Sequence, residues 1–134
     1  MTTIVWFRED LRLTDNPALS AAAERGALLP VYIQTEDGTR SLGGATRWWL
    51  HHSLQALMAD LGYLSLHRGD PGSILLSLAR QTGATAIHWN RRYAPEAIAQ
   101  DTAVKKYLAE FGLKVRSFNG ALLNEPWEIA TGSG

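Results

Sequence analysis

Thr3-Ile4-Val5-Trp6-Phe7-Arg8-Glu9-Asp10-Leu11-Arg12-Leu13-Thr14-Asp15-Asn16-Pro17-Ala18-Leu19 decides how the rest of the chain is read. A short apolar run, residues 3–7, ends abruptly at Arg8 and gives way to a charged loop. The loop closes on Asp15-Asn16-Pro17. An Asp or Asn side chain there can accept hydrogen bonds from the free N–H groups of a helix's first turn, and Pro suits the first helical position. A buried strand, a charged loop and a helix start form the first unit of an open α/β sheet. Ligands of such sheets bind beyond the carboxyl ends of the strands, so the charged loop faces the place where a ligand sits.

Outward from this unit the chain alternates strand and helix. The patterns predict strands over 3–7, 27–33, 63–67, 85–89 and 113–118, and helices over 17–25, 45–61, 71–82 and 95–111. Gly26, Gly62, Gly83 and Gly112 each follow a predicted helix, where a left-handed closing residue is common. Asp70-Pro71 reads as a cap followed by a first-turn proline. Residues 34–44 form a loop marked by Asp37-Gly38 and Gly43-Gly44. Pro30 lies inside a predicted strand, which is tolerated only where its position needs no ladder bond. Strict alternation of this kind predicts an α/β fold, a parallel sheet with helices on both faces. The order of the strands does not follow from spacing.

Composition bounds the rest. The 134 residues suit one three-layer core, and a hydrophobic content of 46% argues for a packed globule. Thirteen basic residues balance thirteen acidic ones, so the chain lacks the positive excess that drives non-specific binding to phosphates. Without cysteine there are no disulfides or thiolate metal sites, which fits a reducing cytoplasm. No signal peptide is visible, and no stretch approaches the ~20 apolar residues that span a bilayer. Residues 131–134, Thr-Gly-Ser-Gly, have linker composition and mark 1–130 as the domain.

Among candidate functional residues, Arg8, Arg12, Arg91 and Arg92 follow predicted strands one and four. Guanidinium forks suit carboxylate or phosphate groups, and they also form ordinary ion pairs with Glu9, Asp10 and Asp15. Trp6 and Trp89 end those same strands, where they either stack on a planar ring or fill the core as large aromatics generally do. His51 and His52 are adjacent, not three or four apart, and make no metal pair. There is no Ser–His–Asp set, P-loop or G-x-G-x-x-G. Asp70 as a phosphorylatable aspartate is disfavoured, because Asn90 and Asn119 stand where a hydroxyl and a Lys belong.

Four segments together resemble the DNA photolyase/cryptochrome family. The first is the opening stretch, W-F-R-x-D-L-R-L-x-D-N-x-A-L. The others are Gly44-Ala45-Thr46-Arg47-Trp48-Trp49-Leu50-His51-His52-Ser53-Leu54, then Trp89-Asn90-Arg91-Arg92-Tyr93-Ala94-Pro95, then Ser117-Phe118-Asn119-Gly120-Ala121-Leu122-Leu123 through Glu125-Pro126-Trp127. The resemblance covers nearly the whole chain and implies a Rossmann-like α/β/α fold with a five-stranded parallel sheet in order 3-2-1-4-5. It implies an N-terminal domain that carries a light-harvesting antenna: a folate, a deazaflavin or a flavin. Its site would be lined by Arg8, Arg47, Asn90, Arg91 and Tyr93, with no catalytic or metal-binding residues. FAD, the electron-transfer chain and the DNA lesion pocket would lie in a C-terminal helical domain, the partner of this one. The parent would be a deoxyribodipyrimidine photo-lyase that splits cyclobutane pyrimidine dimers under light, and this stretch alone would be inactive. A cryptochrome photoreceptor and a stand-alone nucleotide-binding module are the alternatives.

Two departures from the family pattern bear on the antenna. Ala94 stands where relatives often carry Glu, and Glu9 replaces a usual Arg. A lost charge-assisted hydrogen bond, worth about 1.5–3 kcal/mol, predicts antenna affinity weaker by one to two decades. The apolar residues of 121–129, with Leu122, Leu123 and Trp127, predict self-association in the absence of the helical domain.

Overall fold

The strands at the centre of the sheet are mostly apolar and buried because both of their faces are covered. β1 (Thr2–Phe7) is buried from Thr3 onward, and β4 (Ala86–Asn90) is buried throughout. Around them lie α1 (Pro17–Arg25), β2 (Ala27–Gln34), α2 (Gly44–Leu61), β3 (Ser65–Arg68), α3 (Pro71–Thr82), α4 (Pro95–Glu110) and β5 (Lys114–Phe118). The structure, a computed structural model, describes residues 2–8, 16–34 and 44–119, with 44–49 described by backbone alone.

All four strand pairings are parallel, and the order is β3-β2-β1-β4-β5, as the family resemblance implied. The order reverses between β1 and β4, so their carboxyl ends diverge to neighbouring loops. The side-chain period of two divides the core. Val5 and Phe7 face one side, where they pack with Ala22 of α1 and Leu57 of α2. Ile4 and Trp6 face the other, with Leu75 and Leu76 of α3 and Val104 and Leu108 of α4. These are the three layers.

The helix boundaries follow their caps. Asn16, rather than a neighbour, caps α1: its Oδ1 accepts from the Leu19 N–H at 3.1 Å. Asp70 caps α3 by accepting from the Ser73 N–H at 3.0 Å, and Gly83 closes that helix at φ 74°, its N–H reaching the Ala79 carbonyl. Pro30 is accommodated because the ladder between β2 and β3 begins at Val31, so on that side no bond is required of its nitrogen.

The predicted third strand, 63–67, begins two residues too early and ends one residue short of Arg68. Pairing with β2 sets its start, at Val31 opposite Ser65. Tyr63 and Leu64 instead lead in from α2. The Tyr63 hydroxyl donates to the Leu28 carbonyl, and Leu64 is buried in the α1/α2-side core. The other strand and helix ends differ from expectation by a residue, with Phe111 serving as the closing residue of α4. The apolar segment 121–129, expected to drive self-association, lies outside the described residues, as do Arg12 and Glu9.

Candidate functional site at the carboxyl ends of β1 and β4

Arg8 is the residue at which β1 leaves the sheet, and the alternation that turns Trp6 toward α4 turns Arg8 the same way. Its guanidinium carbon sits 4.5 Å from the centre of the Trp6 ring and 5.5 Å from that of Trp89. The two indoles meet edge to face, 5.2 Å apart, and both are buried. Arg8 is itself only 7% exposed. A buried guanidinium needs a counter-charge, and Asp101 of α4 supplies it: Nη1 donates to Oδ1 at 2.8 Å. Nη2 donates to the backbone carbonyl of Asn90. Arg92, from the loop after β4, donates to the same Asp101 oxygen at 2.5 Å and to Gln100 Oε1 at 2.7 Å. Within this triad two cations share one carboxylate.

The other face of β4 carries a neutral network. Asn90 Oδ1 accepts from the Ala18 N–H at 3.1 Å, and its Nδ2 donates to Asn16 Oδ1 at 2.7 Å. One side chain therefore ties the end of β4 to the first turn of α1. Two residues earlier on the same face, His88 has its Nδ1 3.3 Å from the Ala18 carbonyl oxygen and its ring 5.1 Å from that of Phe118. Burial lowers its pKa below the ordinary value of 6.5. The Ala18 contact opposes this, and the Arg116 and Arg25 charges add to it. His88 is thus held neutral in the fold.

A cleft of about 210 Å³ opens beside the charged triad, between α4 and the end of β5. Trp89 and Ile98 give it apolar walls; Arg91, Arg92, Tyr93 and Lys105 surround it with polar and cationic groups. Arg91 Nε donates to Ser117 Oγ at 3.2 Å, and the Tyr93 hydroxyl donates to Asn119 Oδ1 at 3.1 Å. Both side chains are held by β5 and the residue after it. The arrangement can take a planar ring against Tyr93 and Ile98, with an anionic substituent toward the arginines.

The five residues expected to line one crevice are distributed. Arg91 and Tyr93 line the α4/β5 cleft. Arg8 lies inward of it, over the tryptophans. Asn90 points its amide to the opposite face of the sheet, toward α1. The Arg47 side chain lies outside the described residues. Asp101, which organises Arg8 and Arg92, was missed. A signal for it was present: Asp101, Val104 and Leu108 share the buried stripe of α4, and a carboxylate on an apolar stripe implies a buried cationic partner. Among the described residues, no group of three or more His, Asp or Glu is arranged to hold a metal, and no helix is long and apolar enough to cross a membrane.

Comparison with known proteins places this geometry. A deoxyribodipyrimidine photo-lyase of Agrobacterium fabrum is 53% identical over 98% of this chain and 28% of its own length. Cryptochrome-2 of Arabidopsis thaliana is 46% identical over 95% of this chain and 22% of its own length. The crystal structure of a bacterial class III photolyase from Agrobacterium tumefaciens superposes with a TM-score of 0.89 at 50% identity, covering 99% of this chain and 28% of that one. A cryptochrome from Synechocystis sp. PCC6803 superposes at 0.86 with 27% identity. The chain therefore spans less than a third of the length of these relatives. The family model for DNA photolyase matches residues 3–134, almost the full sequence. With the sheet order, the four motifs and this match in agreement, the chain belongs to the DNA photolyase family.

Proposed function

We propose that this chain is the antenna-carrying α/β part of a deoxyribodipyrimidine photo-lyase, a lyase that splits cyclobutane pyrimidine dimers in DNA under light. The observation that carries the reading is the 53% identity to a protein of that name along 98% of the chain. The reaction belongs to the parent protein, with FAD and the damaged DNA held by a C-terminal helical domain. The part described here has a supporting role: to hold a folate, deazaflavin or flavin, which absorbs light and passes the excitation on. The residues fit such a group, since Tyr93 and Ile98 offer partly exposed apolar surface and Arg91, Arg92 and Lys105 offer positive charge. Ala94 opens α4 with no side-chain hydrogen bond, so an acidic anchor is lacking where relatives often have one.

The test is fluorescence titration of the chain with each antenna class. Weak binding is expected, tightening by one to two decades in Ala94→Glu and lost in Arg91→Ala. Tight binding that ignores both substitutions would refute the site. The 46% identity to Cryptochrome-2 supports a second reading, a blue-light photoreceptor with the same domain. Light-dependent repair of dimer-containing DNA by the parent-length protein separates the two: repair supports the lyase, and its absence in a protein that retains FAD supports the photoreceptor.

A further inference from the structure

The cleft between α4 and the end of β5 holds more positive charge than the fold uses. Of the described residues that line it, Asp101 alone is acidic, against Arg91, Arg92 and Lys105. The three cations are not equivalent. Arg91 is turned to the sheet edge: its Nε donates to Ser117 Oγ at 3.2 Å and its Nη2 to the Ser117 carbonyl at 3.4 Å. Arg92 is gripped along one side. Its Nη2 donates to Gln100 Oε1 at 2.7 Å and to Asp101 Oδ1 at 2.5 Å, and its Nε donates to Asp101 Oδ2 at 3.4 Å. Its Nη1 donates to none of the described residues and stays open to solvent.

Lys105 follows Asp101 by four residues, the spacing of a helical ion pair. Asp101 is instead taken by Arg8 and Arg92, which both donate to it. Lys105 is exposed, and its ammonium has no ion pair or hydrogen bond among the described residues. Helical side chains lean toward the helix N-terminus, which in α4 is the end where Arg92 sits. The cleft therefore offers two donors that the fold leaves unspent, one oriented and one mobile.

We propose that Arg92 Nη1 and Lys105 Nζ form a receptor for a phosphate or carboxylate group carried on a planar ring, with the ring against Tyr93 and Ile98. A guanidinium whose other side is fixed by Asp101 and Gln100 meets an anion with little further loss of side-chain freedom. Asp101 and Gln100 are positioning residues that act through Arg92. Lys105 adds charge without fixed geometry, as an ammonium on a flexible stem does. The identity of the ring rests on reading this cleft as the antenna site. Among forms of one ring, the receptor admits those with an anionic arm and disfavours neutral ones. The anion site itself stands on the two donors and is measurable without an antenna.

The experiment uses the 134-residue chain at low ionic strength. FMN and riboflavin share one ring and differ by a phosphate, so fluorescence titration with both isolates the anion. FMN is expected to bind roughly tenfold more tightly, with the preference lost at high salt. Lys105→Gln is expected to cut that preference about fivefold and Arg92→Gln about tenfold, while Lys105→Arg retains it. Binding of both flavins with equal affinity overturns the proposal. Phenyl phosphate and benzoate, each a single ring with one anionic group, are titrated in parallel and read by NMR shifts of the Arg92 and Lys105 side chains. Saturable shifts with either, weakened in Lys105→Gln, sustain the proposal even where both flavins fail, an outcome that sinks the antenna reading alone. The tighter of the two probes names phosphate or carboxylate as the group. No saturable shift with either overturns the proposal. Should circular dichroism show Arg92→Gln unfolded, Lys105→Gln decides, because its side chain bonds to no other part of the described fold.

Discussion

Replacing Asp101 by Ala removes the carboxylate that Arg8 and Arg92 share. The two cations are not equally affected. The Arg8 side chain is 5% exposed and cannot reach water, whereas that of Arg92 is 18% exposed at the cleft and can rotate outward. The loss therefore falls mainly on Arg8. Breaking a buried pair from one side leaves an uncompensated charge and costs about 3–5 kcal/mol. For a chain of this length each kcal/mol lowers Tm by roughly 3–4 °C, so a fall of about 9–20 °C is expected. Arg92→Ala, which breaks only the more solvated half, should cost about 1 kcal/mol. Arg8→Met combined with Asp101→Leu replaces the buried ions with apolar groups of similar size and should recover most of the loss, because the desolvation penalty goes with the charges. Thermal and urea unfolding monitored by circular dichroism measure all four proteins. If Asp101→Ala is no more harmful than Arg92→Ala, or if the double replacement is as unstable as the single one, then Arg8 is not the buried charge that Asp101 compensates.

Two further outcomes follow from the same geometry. Ala94 has the extended backbone of a cap, φ −67° and ψ 140°, but no side-chain acceptor, so Ala94→Asp should stabilise the chain by about 1 kcal/mol in urea unfolding. An unchanged midpoint would mean that the α4 N–H groups are already satisfied in another way. His88 is held neutral, with its pKa below 6.5, whereas in the unfolded chain it takes up a proton as pH falls through 6.5. The unfolded state then binds more protons, so His88 removes stability as pH falls from about 6.5 toward its folded pKa. His88→Gln should flatten the stability profile between pH 7 and pH 5; an unchanged slope would assign it to other groups.

Much of the fold was legible because it is encoded locally. Alternating apolar runs, caps at Asn16 and Asp70, first-turn prolines and helix-closing glycines are properties of neighbouring residues, and they placed eight of the nine described elements to within a residue. β3 was the exception, since its start depends on where Val31 pairs, a contact between residues far apart in sequence. The strand order came from the resemblance, because spacing carries no record of which strands become neighbours.

The site divides along the same line. That Arg8, Asn90, Arg91 and Tyr93 lie at the carboxyl ends of the central strands was determined by the sequence, through its strand boundaries and the family motifs. Which way each side chain turns was decided only in three dimensions. Residues 89 and 90 point to opposite faces of β4 because a strand alternates, and what each meets there depends on which helix covers that face: α4 for Trp89, α1 for Asn90. Arg8 faces inward because Asp101, 93 positions away, is brought beneath it by the packing of α4 on the sheet. A charge that reads as a ligand contact in sequence becomes part of the core once the fold supplies its counter-charge.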